Sequence, residues 1–132
     1  MVQNSAARVV KKAKKRDHIT PVLKALHWLP VKQRIDYKIC LIVYKCLHKL
    51  APSYLSDSLK RYVPTRTLRS SSDPSILIVP DYSYKYIGGR SFFSYAPSVW
   101  NKLPTGVRNS ESLAVFKKRL KHHLFLNAYT CT

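Results

Sequence analysis

Carboxylates are nearly missing from this chain. Its 132 residues include six acidic ones, Asp17, Asp36, Asp57, Asp73, Asp81 and Glu111, and no two are adjacent. A polymerase or nuclease that holds two metal ions about 3.5–4 Å apart needs clustered carboxylates, so that chemistry has no foundation here. Glycine is scarcer still, at three residues, and the Gly88-Gly89 pair lacks the Gly-x-x-x-x-Gly-Lys spacing of a phosphate loop. It reads as a hairpin turn. Three cysteines, Cys40, Cys46 and Cys131, leave one thiol over and do not suggest a disulfide framework. No apolar run approaches the ~18 residues of a membrane span, and the first fifteen residues hold no apolar core of a secretory leader. The expectation is a reducing intracellular setting, nucleus or cytoplasm, with no membrane and no small-molecule substrate.

Cations are what the chain has in excess. Lys and Arg number 24, which gives a net charge of +18. Such a molecule repels itself unless a polyanion neutralises it, and the phosphate backbone of RNA or DNA is the leading candidate. Arg8, Lys11, Lys12, Lys14, Lys15 and Arg16 precede the first acid, while Lys117, Lys118 and Lys121 lie near the other end. These nine are the candidate nucleic-acid contacts. The run Lys11–Arg16 has three readings: a phosphate-contacting helix face, a nuclear-entry signal, or a solvated surface with no specific partner.

Hydrophobic residues make up 45% of the chain, enough for one domain with a core. Val2, Ala6, Val9, Val10 and Ala13 recur at helical spacing, which predicts one amphipathic helix with a basic outer face, closed by Asp17 and His18. Thr20 and Pro21 suit the N-cap and first turn of a second helix through about His27. Pro30 forces Leu29 out of helical geometry. Beyond it Val31, Ile35, Ile39, Ile42, Val43, Cys46, Leu47 and Leu50 predict a buried stripe on a helix from Val31 to about Lys49. A further helix over 53–61 should turn Tyr54, Leu55 and Leu59 inward. Residues 62–75 read as an extended basic Pro/Ser linker. Ile76 to Pro80 is a strand candidate, with a partner in "KYIGGRSFFSY" around the glycine turn. A short helix over 97–103 carries Trp100 inward, and Ser110 caps a last helix to about Asn127 with Leu113, Phe116, Leu120 and Leu124 on its apolar side. The predicted fold is mainly α: a small helical bundle with a short β-hairpin after the basic linker. Segment 1–61 and segment 76–132 should pack as one domain.

No catalytic residue is identified. The serines and histidines show no nucleophile elbow, and no cofactor motif occurs. Cys40 and Cys46 are six apart on one helix, about 240° around the wheel, and cannot share an ion. For the C-terminal donors a zinc site from His122, His123 and Cys131 stands against the plainer reading of solvated histidines and core thiols, so no metal is expected. In "YSYKYIGGRSFFSY" the rings of Tyr82, Tyr84 and Tyr86 beside Lys85 and Arg90 could stack on unpaired bases. Alternatively they pack a β-ribbon against the helices.

The phrases "HITPVLKALHWLPVKQRIDYKI", "LAPSYLSDSL", "RSSSD", "RSFFSYAPSVWNKLP" and "SLAVFKKRLKHHLF", in this order and with these gaps, carry a resemblance. Together they resemble the C-terminal region of reverse transcriptases encoded by LINE-type non-LTR retrotransposons, including jockey-like ones. The resemblance runs from about Val2 to Tyr129. It implies a region following the polymerase fingers, palm and thumb of a long polyprotein, with Met1 marking a truncated or reopened frame. The Tyr-x-Asp-Asp signature that such enzymes carry upstream does not occur here. The resemblance therefore implies a family of RNA-directed DNA polymerases, yet a fragment that is itself no enzyme. Two expectations follow: a non-catalytic, largely sequence-independent nucleic-acid-binding fragment, or a structural remnant that docks on the upstream polymerase region and has no activity of its own.

Overall fold

The computed structural model describes residues 2–64, 73–80 and 91–130. Its helices are α1 (Val2–Lys11), α2 (Ile19–Ala25), α3 (Val31–Leu47), α4 (Ser53–Ser56), α5 (Phe92–Asn101), α6 (Thr105–Arg108) and α7 (Leu113–Tyr129). The chain is mainly α, as predicted.

The first three helices end alike, and without glycine. Lys12, His27 and Lys49 take left-handed backbone angles, with φ of 52°, 52° and 57°. In each case the left-handed residue and its successor donate back into the last turn. Lys12 N–H reaches Val9 O at 3.3 Å and Ala13 N–H reaches Arg8 O at 3.0 Å, and the same pattern recurs at His27–Trp28 and Lys49–Leu50. This is the Schellman closure, normally a glycine's place. It stops α1 at Lys11, so the expected single helix that carried Lys12, Lys14 and Lys15 on its basic face does not form. Asp17 reinforces the stop by accepting Lys14 N–H on its carboxylate at 2.8 Å, a local turn that competes with helix.

Helix α2 begins at Ile19 with His18 as its N-cap, so Thr20 is not the cap, and Pro21 sits in the first turn where no intrahelical N–H donor is needed. Pro30 stands at the N-cap of α3, as its ring geometry requires. The buried side of α3 keeps Val43 and Cys46 of the predicted stripe, with Ile39 and Leu47 packed against the core, and adds Cys40 and Tyr44. Cys40, Val43, Tyr44 and Cys46 are buried, whereas Val31 and Ile35 are more than half exposed, and Ile42 and Leu50 also face out. Tyr44 is among the most buried side chains of α3. Its ring stacks on Phe116 at 4.3 Å and on His48 at 3.9 Å, and its hydroxyl donates to Ser110 O at 2.9 Å. A phenol so satisfied goes inward at little cost.

Helix α4 is shorter than the predicted 53–61. Tyr54 is exposed, whereas Leu55 packs half-buried against the core and Leu59, in the turn beyond α4, is buried. The chain leaves the helix because residues 60–62 are drawn into extended pairing: Ile78 N–H donates to Lys60 O and Tyr62 N–H to Ile76 O, both at 2.9 Å, around an isolated antiparallel bridge between Arg61 and Leu77. The predicted hairpin is thus corrected. Of Ile76–Pro80 only Leu77 forms a bridge, its partner is Arg61, and Phe92–Tyr95 belong to α5. Residues 81–90 lie outside the described residues. On its other edge Leu77 meets Asn101, whose side chain accepts the Leu77 N–H at 3.0 Å and donates to its carbonyl at 2.8 Å. Trp100 Nε1 donates to Ser75 O at 2.7 Å, so residues 75–77 are fastened to α5. Of the proposed linker, 65–72 lie outside the described residues, and its last residues, Asp73 to Ser75, lie against the helices.

The main core lies among α3, α5 and α7, with Val43, Tyr44, Ala96, Trp100, Phe116 and Leu120 at its centre. The apolar side of α7 is the predicted one, although its cap is Ser112, whose Oγ accepts Val115 N–H at 3.3 Å. Ser110 is buried instead and donates to Val107 O at 2.7 Å. A second cluster joins Ala7 of α1, Leu23 of α2 and Tyr129 of α7, with Trp28 and Phe125 against it. Tyr129 donates its hydroxyl to Trp28 O at 2.6 Å, and Gln3 Nε2 donates to Leu29 O at 2.7 Å, so the α1–α2 pair is held by both α7 and the corner before α3.

Candidate nucleic-acid interface

The basic residues fall into two groups in space. The first is the turn after α1. Lys11, Lys12, Lys14, Lys15 and Arg16 are exposed there, and Arg8 is half-buried. The Arg8 guanidinium donates to Lys14 O at 2.5 Å, and Asp17 N–H donates to the same carbonyl at 3.1 Å. Arg8 is therefore a fastening of the turn as much as a surface cation. The closure at Lys12 replaces a straight basic helix face with a compact turn of exposed side chains.

The second group is on α7. Lys117, Lys118 and Lys121 are exposed, and Lys117 and Lys121, four apart, share one side of the helix. Their neighbour Arg119 is anchored by donating to Gly106 O at 2.9 Å. Lys121 also borders a groove of about 900 Å³ between α3, α7 and the corner at Trp28. Arg34 and Lys38 of α3 border the same groove. Neither was singled out as a contact in the sequence, although their four-residue spacing on the α3 helix was the available signal. None of Lys11, Lys12, Lys14, Lys15 and Arg16 lines the groove. Tyr82, Tyr84 and Tyr86 lie outside the described residues.

Four groups capable of chemistry have shifted ionisation and structural neighbours. Cys40 is fully buried, and burial, with the charge of Asp36 second, pushes its thiol up to about 12. Cys46 is also raised by burial, partly offset by Ser56. A raised thiol is a weaker nucleophile at neutral pH. Tyr95 donates its hydroxyl to Asp36 at 2.7 Å, and that bond, then burial, raises it to about 12. His123 is lowered by burial and then by His122, and it pairs with Asn127 at 3.0 Å. Among the described residues no three His, Cys, Asp or Glu side chains gather as a metal site, and no helix is long and apolar enough to cross a membrane. Cys131 lies outside the described residues. Compared with protein-family models, curated proteins and solved structures, the chain matches none.

Proposed function

We propose that this chain is a non-catalytic module that grips RNA or DNA by its phosphates, largely without reading sequence. We further propose that it corresponds to the C-terminal region of a LINE-type reverse transcriptase polyprotein, whose phrases it resembles and whose upstream polymerase region would be its protein partner inside the cell. The observation that carries the reading is the charge. A net +18 is mounted on an ordered helical frame, with Lys11, Lys12, Lys14, Lys15 and Arg16 all exposed on one turn and Lys117, Lys118 and Lys121 exposed on α7. Phosphate contacts of this kind release counterions, so affinity depends steeply on salt. If about six phosphates are engaged, log K against log salt has a slope of roughly −4 to −5. Fluorescence anisotropy with a labelled RNA hairpin and with duplexes of unrelated sequence measures this. Similar affinities across sequences with that slope are expected, and an affinity that barely changes between low and moderate salt refutes the proposal.

A further inference from the structure

The groove beside α3 has a character that phosphate binding does not explain. Its floor is apolar, formed by Trp28, Leu29 and Ile39, and one wall is the row Val31 and Ile35, which are 58% and 52% exposed. Both wall residues are β-branched aliphatics four apart on α3, so they form a strip along the helix axis. Arg34 and Lys38 form a parallel strip one position away, and Lys121 of α7 stands at the groove as well. No Asp or Glu lines it. Arg34 is positioned by Gln3, whose Oε1 accepts its guanidinium at 3.4 Å.

We infer that this groove is a docking site for an acidic amphipathic helix of a partner polypeptide. A helix laid along α3 would set leucine or phenylalanine anchors at i, i+4 and i+7 against Val31, Ile35 and Trp28, and its flanking glutamates would face Arg34, Lys38 and Lys121. Charge complementarity selects the occupant. A second copy of the chain cannot supply such a helix. Among the described residues none of its helices has an acid in the first turn, and the single helical acid, Asp36, is engaged by Tyr95. A nucleic-acid strand would meet the cations and the rings of Trp28 and Tyr37 but would leave the aliphatic strip of Val31 and Ile35 uncovered, since bases stack on aromatic faces.

The test uses the full chain and a designed tryptophan-free helical peptide of about 18 residues, with Leu and Phe at i, i+4, i+7 and Glu on the flanks. Trp100 is fully buried, so a change in tryptophan emission on titration reports Trp28. The expected result is saturable binding with a blue shift, about tenfold weaker in Ile35→Asn and in Lys38→Glu. A peptide in which only the Glu facing position 38 is replaced by Lys should regain affinity for the Lys38→Glu chain, and Ile35→Asn should leave melting temperature and RNA affinity unchanged. Equal binding of a scrambled peptide of the same composition overturns the inference, because charge alone would then suffice. So does an RNA strand that produces the same Trp28 shift and loses it in Ile35→Asn, or a dimer in sedimentation that Ile35→Asn abolishes.

Discussion

Replacing Arg108 by methionine tests what holds the middle of the chain to the helices. Arg108 is a buried residue of α6, and its Nη2 meets the Asp73 carboxylate at 2.5 Å, with 8% and 14% of the two side chains exposed. The same guanidinium donates from Nη1 to Asn101 O at 3.2 Å, so it ties Asp73, α5 and α6 together. Its Nε has no protein partner, the one such buried side-chain atom among the described residues. Removing one member of a buried pair costs about 3–5 kcal/mol, because the other charge is left behind. Here Asp73 keeps the Ser75 backbone N–H at 3.0 Å and the Ser75 hydroxyl, and the orphaned Nε disappears with the guanidinium. Arg108→Met should therefore fall at the low end, about 3 kcal/mol, or roughly 10 °C in melting temperature for a chain of this size. Asp73→Asn should cost more, since arginine cannot shed its charge.

The acid limb gives the reasoning a second handle. Burial alone would raise the Asp73 carboxyl, but the Ser75 bonds and Arg108 together hold it below the ordinary carboxylate value. A lowered folded value means that the stabilisation is complete at neutral pH and is lost as pH falls below about 4, through the folded value. Urea unfolding followed by circular dichroism should show the gap between wild type and Arg108→Met narrowing on that limb. A gap under about 1 kcal/mol at neutral pH, or one that is constant down to pH about 3, refutes the assignment of the pair as a principal fastening.

Other outcomes follow from the same geometry. Lys49→Gly relieves a left-handed non-glycine residue and should raise stability by about 0.5–1 kcal/mol, read as a shift in the urea midpoint. Tyr129→Phe removes the donor to Trp28 O and should cost about 1–2 kcal/mol, with hydrogen exchange accelerated in α1 and α2 before α3. Cys40, buried and with its thiol raised to about 12, should resist alkylation of the native chain at mildly alkaline pH and react only after unfolding, as mass mapping of the modified peptide would show.

The helical class, the break at Pro30 and the apolar side of α7 were legible because each follows from local spacing or ring geometry. Phe116, Leu120 and Leu124 lie at helical intervals and all are buried. What escaped depends on partners distant in sequence. Of the predicted stripe on α3 the core takes Val43 and Cys46 but leaves Val31, Ile35 and Ile42 exposed, and it adds Cys40 and Tyr44, the latter bonded to Ser110 and stacked on Phe116. The hairpin failed for a similar reason: Leu77 finds Arg61 and Asn101, neither of which its own segment announces. The stop at Lys12 lacks the usual glycine, so a basic helix seemed to continue through Arg16. The site was legible as a list of exposed cations, but their division between a turn and a helix was not, and Arg34 and Lys38 joined Lys121 only once α3 and α7 had packed.

The bond from Tyr129 to the carbonyl of Trp28 spans 101 positions. During synthesis the opening pair of helices leaves the ribosome long before the apolar end of the last helix that buries Ala7 and Leu23. Covering Ala7 and Leu23 therefore closes a long loop, a step that follows the local formation of the helices themselves.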